Sequence, residues 1–128
     1  MSDEVQLVMP ADPEFLRLAR VTAMGLASRL QFTIDEIDDL RIAIDELLFG
    51  LIGTKGRPGR VTMRYSMVDA GLEVKGTATF EDGVETPGLT ELSELILDAV
   101  ADEHELTPNG PTPSFRLLKR RVDQEVGH

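Results

Sequence analysis

The sequence predicts a two-layer α/β sandwich of the α+β kind, with helices on one face of a mostly antiparallel, mixed sheet. Residues 33–52, TIDEIDDLRIAIDELLFGLI, place apolar side chains three or four apart, as one face of a helix requires. After residue 59 the period drops to two, first over 61–67 and again over 72–80. The resulting order is strand, helix, helix, strand, strand, helix, strand, and helices segregated to one side of such a sheet form two layers.

The first strand is read over residues 4–9, where Val5, Leu7 and Met9 share a face and Pro10 stops the run. Asp12-Pro13-Glu14 then starts a helix: a capping side chain, a proline at the first helical position and an acid favoured by the helix dipole. That helix runs to about Leu30. It carries one stripe of Phe15, Leu18, Thr22 and Leu26 and another of Leu16, Ala19, Ala23, Ala27 and Leu30, with Gly25 adding to a slim surface that admits another backbone.

Gln31 and Phe32 lead into the central helix. Thr33 and Glu36 have capping-box spacing, each side chain reaching the other's backbone N–H. Ile37, Leu40, Ile44, Leu47, Leu48 and Leu51 make its main apolar stripe, and Ile34, Ile42, Phe49 and Ile52 widen it. This helix is therefore expected to be covered on more than one side. It also carries Asp45 and Glu46 in mid-helix, and a buried carboxylate needs a partner. Asp45 is read as an exposed helix acid. Asp35, Asp38 and Asp39 are read as a solvated helix start, because the glycine and terminal glutamate of an EF-hand loop are missing.

A glycine-rich loop, 53–59, precedes a hairpin. Val61, Met63, Tyr65 and Met67 face one way on its first strand, and Leu72, Val74, Ala78 and Phe80 on its second. The other faces are polar, so the sheet is expected to meet solvent on one side. After the polar loop 81–88, a third helix is read from about Leu89, with Leu92, Leu95, Ile96, Ala99 and Val100 facing the core. Residues 107–113, rich in proline, separate it from a last strand over 114–121. Residues 1–122 are read as one domain and 123–128 as a frayed tail.

Composition bounds the function. The net charge is −10 and there is no cysteine, which removes disulfides and thiolate chemistry. Two histidines, His104 and His128, leave little for a histidine metal site or triad. No window is long and apolar enough for a membrane span, and the start lacks a basic, apolar leader. A cytoplasmic protein without nucleic-acid or membrane partners is expected, with RLLKRR at 116–121 pairing acidic neighbours.

Residues 10–28, PADPEFLRLARVTAMGLAS, followed by DEIDDLRIAIDELLFGLIG, resemble the bacterial anti-sigma factor serine-protein kinases, members of the histidine-kinase-like ATPase (Bergerat, or GHKL) superfamily. The resemblance covers roughly residues 5–80. It implies that fold, a homodimer, and a sigma factor or anti-sigma antagonist as partner. The family's central helix ends in Glu-x-x-x-Asn, a general base and a magnesium ligand. Glu46 matches the glutamate, and Gly50 stands in the asparagine's place. The family's Asp-x-Gly-x-Gly adenine loop falls on residues 81–85, where Glu81 can stand for the acid, Gly83 matches the first glycine and Glu85 replaces the second. Gly88 matches the glycine-rich helix start. Residues 84–88 span at most ~18 Å, too little to close a loop and also cover a triphosphate.

The resemblance therefore implies site residues Glu46, Glu81, Gly83 and Gly88, with Arg17 and Arg20 of the first helix facing the partner. The losses lead to the expectation of no metal and no cofactor, and of a regulator that works by exchanging protein partners rather than as an enzyme. The alternative is an active serine-protein kinase, with ATP and magnesium, that phosphorylates an antagonist. A dimerisation module with another role stays open as well.

Overall fold

A computed structural model describes residues 3–122. The elements are β1 (Glu4–Pro10), a 3-10 turn (Pro13–Phe15), α1 (Leu16–Arg29), α2 (Ile34–Ile52), β2 (Gly59–Val68), β3 (Gly71–Phe80), α3 (Glu91–Val100), β4 (Glu103–Thr107) and β5 (Ser114–Arg120). The sheet order is β1-β2-β3-β5-β4, and every neighbouring pair is antiparallel. The expected mixed sheet is corrected on that point. The helices cover one face, as predicted. The tail read at 123–128 lies outside the described residues.

The strand β4 is missing from the sequence reading. Its residues, EHELT, offer Leu106 as their one aliphatic side chain, so period two has almost nothing to show. It is also an edge strand that pairs with β5 alone.

Local signals hold at the helix starts. The Asp12 side chain accepts from the Glu14 N–H at 2.9 Å, and the chain passes through one 3-10 turn before α1. The Thr33–Glu36 box is complete, with bonds of 2.7 and 3.1 Å. Glu36 is buried and also accepts the Val122 N–H, so it joins the start of α2 to the end of β5. Burial alone would raise its pKa, but the Thr33 and Val122 N–H groups outweigh that, and the net shift is downward.

The core lies between α1, α2 and the inner sheet face. Leu16, Ala19, Ala23 and Ala27 of α1 are fully enclosed, and the small side chains let the helix sit low enough for Tyr65 to donate to the Ala19 carbonyl at 2.9 Å. Burial pushes the Tyr65 hydroxyl pKa up. Met63, Val74, Leu72 and Leu117 face the same layer. Gly76 is obligatory here: a Cβ would stand 2.4 Å from the Phe115 ring.

Five apolar assignments are corrected, Leu18, Ile34, Phe49, Leu92 and Leu95. Ile34 is 85% exposed and Phe49 also faces outward, because α2 is flanked by α1 and α3 but not roofed over, and Leu18 faces outward because α1 buries Leu16, Ala19, Ala23 and Ala27 instead. On α3, Leu92 and Leu95 are 66% and 67% exposed, and Leu97 is the residue that reaches the core. Ser93 is drawn inward to α2, which turns Leu92, Leu95 and Ala99 of the predicted stripe toward solvent, while Val100 packs against the core as expected. Asp45 is not an exposed acid: it holds Arg20 at 2.7 Å, with both side chains half-buried.

The basic run near the C-terminus is absorbed internally. Arg116 pairs with Glu73 and Glu103, Lys119 with Asp39 and the Val100 carbonyl, and Arg121 with the Leu30 carbonyl.

Candidate functional site

The inner edge of α2 and the loop after β3 meet where the resemblance implies a nucleotide. Helical spacing puts Asp39, Ala43, Glu46 and Gly50 on the α2 edge that faces α3 and β5. Glu46 there accepts the Ser93 hydroxyl at 2.8 Å. Ser93 in turn belongs to the Thr90 cap of α3, whose hydroxyl accepts the Ser93 N–H at 3.0 Å. The carboxylate thus fastens one helix to the start of the next.

One turn further on, Gly50 has no free space beside it. A Cβ would stand 3.0 Å from Leu106 Cδ1, 3.0 Å from Leu89 Cδ2 and 3.2 Å from the Gly88 carbonyl oxygen. The Gly88 N–H also donates to the Gly50 carbonyl at 2.9 Å. Segment 86–90 therefore lies directly on the helix, and Leu89 with Leu106 takes up the volume that a longer side chain would need.

The loop after β3 is held by a residue that the sequence reading passed over. Arg57 lies over the Phe80 ring, 3.5 Å from its centroid, and its side chain is 8% exposed. Its guanidinium grips Asp82 through two bonds, of 2.7 and 3.1 Å, and also donates to the Val84 carbonyl. That bond to Arg57, supported by the Val84 N–H, holds the Asp82 pKa down to about 2. The signal available in sequence was weak: an arginine in a glycine-rich loop, with its partner 25 positions away. Among the described residues, the buried polar atoms Arg57 Nη1 and Thr86 Oγ1 have no hydrogen-bond partner.

The predicted site residues are only partly brought together. Glu81 is exposed, and its N–H serves the Pro58 carbonyl, so Asp82 rather than Glu81 carries the loop's charged contact. Gly83 and Gly88 both have positive φ, 68° and 80°, and nothing lies within 4 Å of a Cβ at either. Arg17 is exposed on α1, whereas Arg20 is engaged by Asp45.

A cavity of about 260 Å³ adjoins the loop between Phe80, Thr86 and the 108–113 turn. A roomier one, of about 530 Å³, opens between α3 and β4. Glu94, Asp98, His104 and Glu105 line the latter, with His104 Nε2 2.9 Å from Glu94, and among the described residues no lysine or arginine does. Among the described residues, no group of three or more His, Asp or Glu is placed to hold a metal ion, and no helix is long and apolar enough to cross a membrane.

No family model matches the chain. Among curated proteins, it is 32% identical to the serine-protein kinase RsbW of Bacillus pumilus, over 97% of this chain and 92% of that protein. The chain belongs to the RsbW serine-protein kinase family. Two other RsbW proteins match over less: that of Bacillus subtilis at 34% identity over 57% of this chain, and that of Listeria innocua at 36% over 59%. The chain spans about half the length of these two, 48% and 50%. A crystal structure of the RsbU and RsbW domains of Rv1364c from Mycobacterium tuberculosis superposes with a TM-score of 0.65 at 14% identity, covering 93% of this chain and 32% of that one. At that identity the likeness speaks for the fold, and the histidine-kinase-like architecture read from the sequence is borne out.

Proposed function

We propose that this RsbW relative regulates by protein–protein contact, in the manner of an anti-sigma factor that exchanges partners, without binding nucleotide or transferring phosphate. The observation that carries this reading is the packing at Gly50. A magnesium ligand is needed there, glycine supplies no side-chain oxygen, and Leu89, Leu106 and the Gly88 carbonyl occupy the space. ATP and magnesium do not fit the residues present. The lining of the α3–β4 cavity adds to this, since a triphosphate would meet Glu94, Asp98 and Glu105, and the His104 beside them is already paired with Glu94. Glu46 then acts as a structural acceptor for Ser93.

In this reading the partner is a sigma factor or its antagonist, the protein is a cytoplasmic homodimer, and α1 faces the partner. Arg17 is free to contact an acidic surface, and Arg20 can do so once it leaves Asp45. An active kinase remains the second reading. Glu46 is retained, and Thr86, whose buried Oγ1 has no partner among the described residues, lines the cavity beside the loop.

Calorimetric titration with ATP and magnesium decides between the two. No heat beyond dilution is expected, and micromolar, magnesium-dependent binding would refute the proposal. Arg17→Glu is expected to weaken pulldown of the cognate sigma factor or antagonist while leaving the melting temperature nearly unchanged. An unaltered pulldown removes α1 from the interface.

A further inference from the structure

We propose that the uncovered face of the sheet docks a carboxylate-rich segment of another protein. The proposal concerns a surface opposite the helices and does not depend on whether nucleotide binds. The register aligns Arg64 of β2, Lys75 of β3 and Arg116 of β5 as direct cross-strand neighbours. Gln6 and Glu105 end the row, one on each edge strand. Strands lie about 4.8 Å apart, so three cations hold adjacent register positions, with Glu73 of the neighbouring row reaching between Lys75 and Arg116.

Like charges directly opposite one another destabilise a sheet. Only Arg116 is well compensated, by Glu73 and Glu103; the nearest carboxylate to Lys75 is Glu73 at 3.8 Å. Among the described residues, neither Arg64 nor Arg60 has an ion-pair partner. The chain has 23 acidic residues to choose from and a net charge of −10, yet this face keeps its cations adjacent. The next row over, Thr62 and Thr77, adds hydroxyl donors that face solvent on the same side.

The row's chemistry selects its occupant. Carboxylates three or four residues apart on a helix lie about 5–6 Å from one another, close to the strand spacing. Nucleic acid fits poorly. Tyr65, Phe80 and Phe115 all occupy register positions on the helical side, so no aromatic ring is offered for base stacking. The rest of the molecule repels polyanions at long range, and Glu4, Glu73, Glu103 and Glu105 share this face, so only a short acidic segment centred on Arg64 and Lys75 reaches the row without meeting carboxylates.

The test uses the full chain and a fluorescein-labelled octaglutamate peptide, followed by anisotropy at low salt. Net charge alone predicts repulsion, so saturable binding that fades at roughly 0.3 M salt is the expected result. Arg64→Glu combined with Lys75→Glu should weaken it at least tenfold. Arg41→Glu combined with Lys55→Glu changes the net charge equally, away from the sheet, and should leave it within twofold. Lys75→Glu alone should weaken binding while raising the melting temperature slightly, since it places an acid between two arginines. No binding by the native chain overturns the proposal, as does an equal loss in both double variants. So do displacement of the peptide by oligothymidylate and a switch in oligomeric state on charge reversal.

Discussion

Restoring the family asparagine at position 50 gives the sharpest test of the site. In an exposed helix interior, replacing glycine would stabilise by a few tenths of a kcal/mol up to about 1. Here the new Cβ lands within 3.0–3.2 Å of Leu89, Leu106 and the Gly88 oxygen. Overpacking of this kind costs roughly 1–3 kcal/mol. The amide beyond it would enter an apolar contact between the two leucines, at about 1–3 kcal/mol for unsatisfied polar atoms. The net expectation for Gly50→Asn is a loss of about 3 kcal/mol, or roughly 10 °C in melting temperature for a domain of this size. Gly50→Ala introduces only the methyl group, which meets flexible leucine ends on two sides, and should change stability by less than about 1 kcal/mol. Urea unfolding followed by circular dichroism measures both, and calorimetry with ATP and magnesium accompanies each. A Gly50→Asn protein as stable as the native chain, with new magnesium-dependent ATP binding, would show that the space is available and that one residue had closed the site.

Gly76→Ala should cost about 3 kcal/mol by urea unfolding, because its methyl meets the Phe115 ring at 2.4 Å, and Phe115→Leu in the same chain should recover part of it. Thr33→Ala removes half of the capping box and should cost about 1 kcal/mol, read from the same unfolding curves. The Asp82 carboxyl has a folded pKa of about 2 against an ordinary 3.8, so the unfolded chain binds more protons there and stability rises with pH. That contribution is complete above about pH 5 and is lost as pH falls toward 2, and Asp82→Asn should flatten the acid limb of a stability profile over that window.

The helix starts were legible because their signals are local: Asp12-Pro13 and Thr33-x-x-Glu36 specify their caps within a few residues. The hairpin was legible because period two persists across all of β2 and β3. Strand β4 was not, since an edge strand with one aliphatic side chain leaves no periodic trace. The orientation of α3 was not either, because six apolar residues among ten allow several inward faces, and a polar contact, Ser93 to Glu46, makes the choice. At the site, the departure of Gly50 from the family pattern was readable from one position. What fills the gap was not, for Leu89 and Leu106 come from separate elements. Arg57 escaped notice for the same reason, its role resting on Phe80 and Asp82 far along the chain.

The strand order has a consequence for synthesis. Because β4 pairs with β5 alone and β5 sits between β3 and β4, the last third of the sheet has no template until residues 114–120 have left the ribosome. Glu36 likewise waits for Val122, 86 positions downstream, before its second oxygen is satisfied. The nascent chain can lay down β1, α1, α2 and the hairpin early, while β4 and the outer edge of β3 stay unpaired until the final strand arrives.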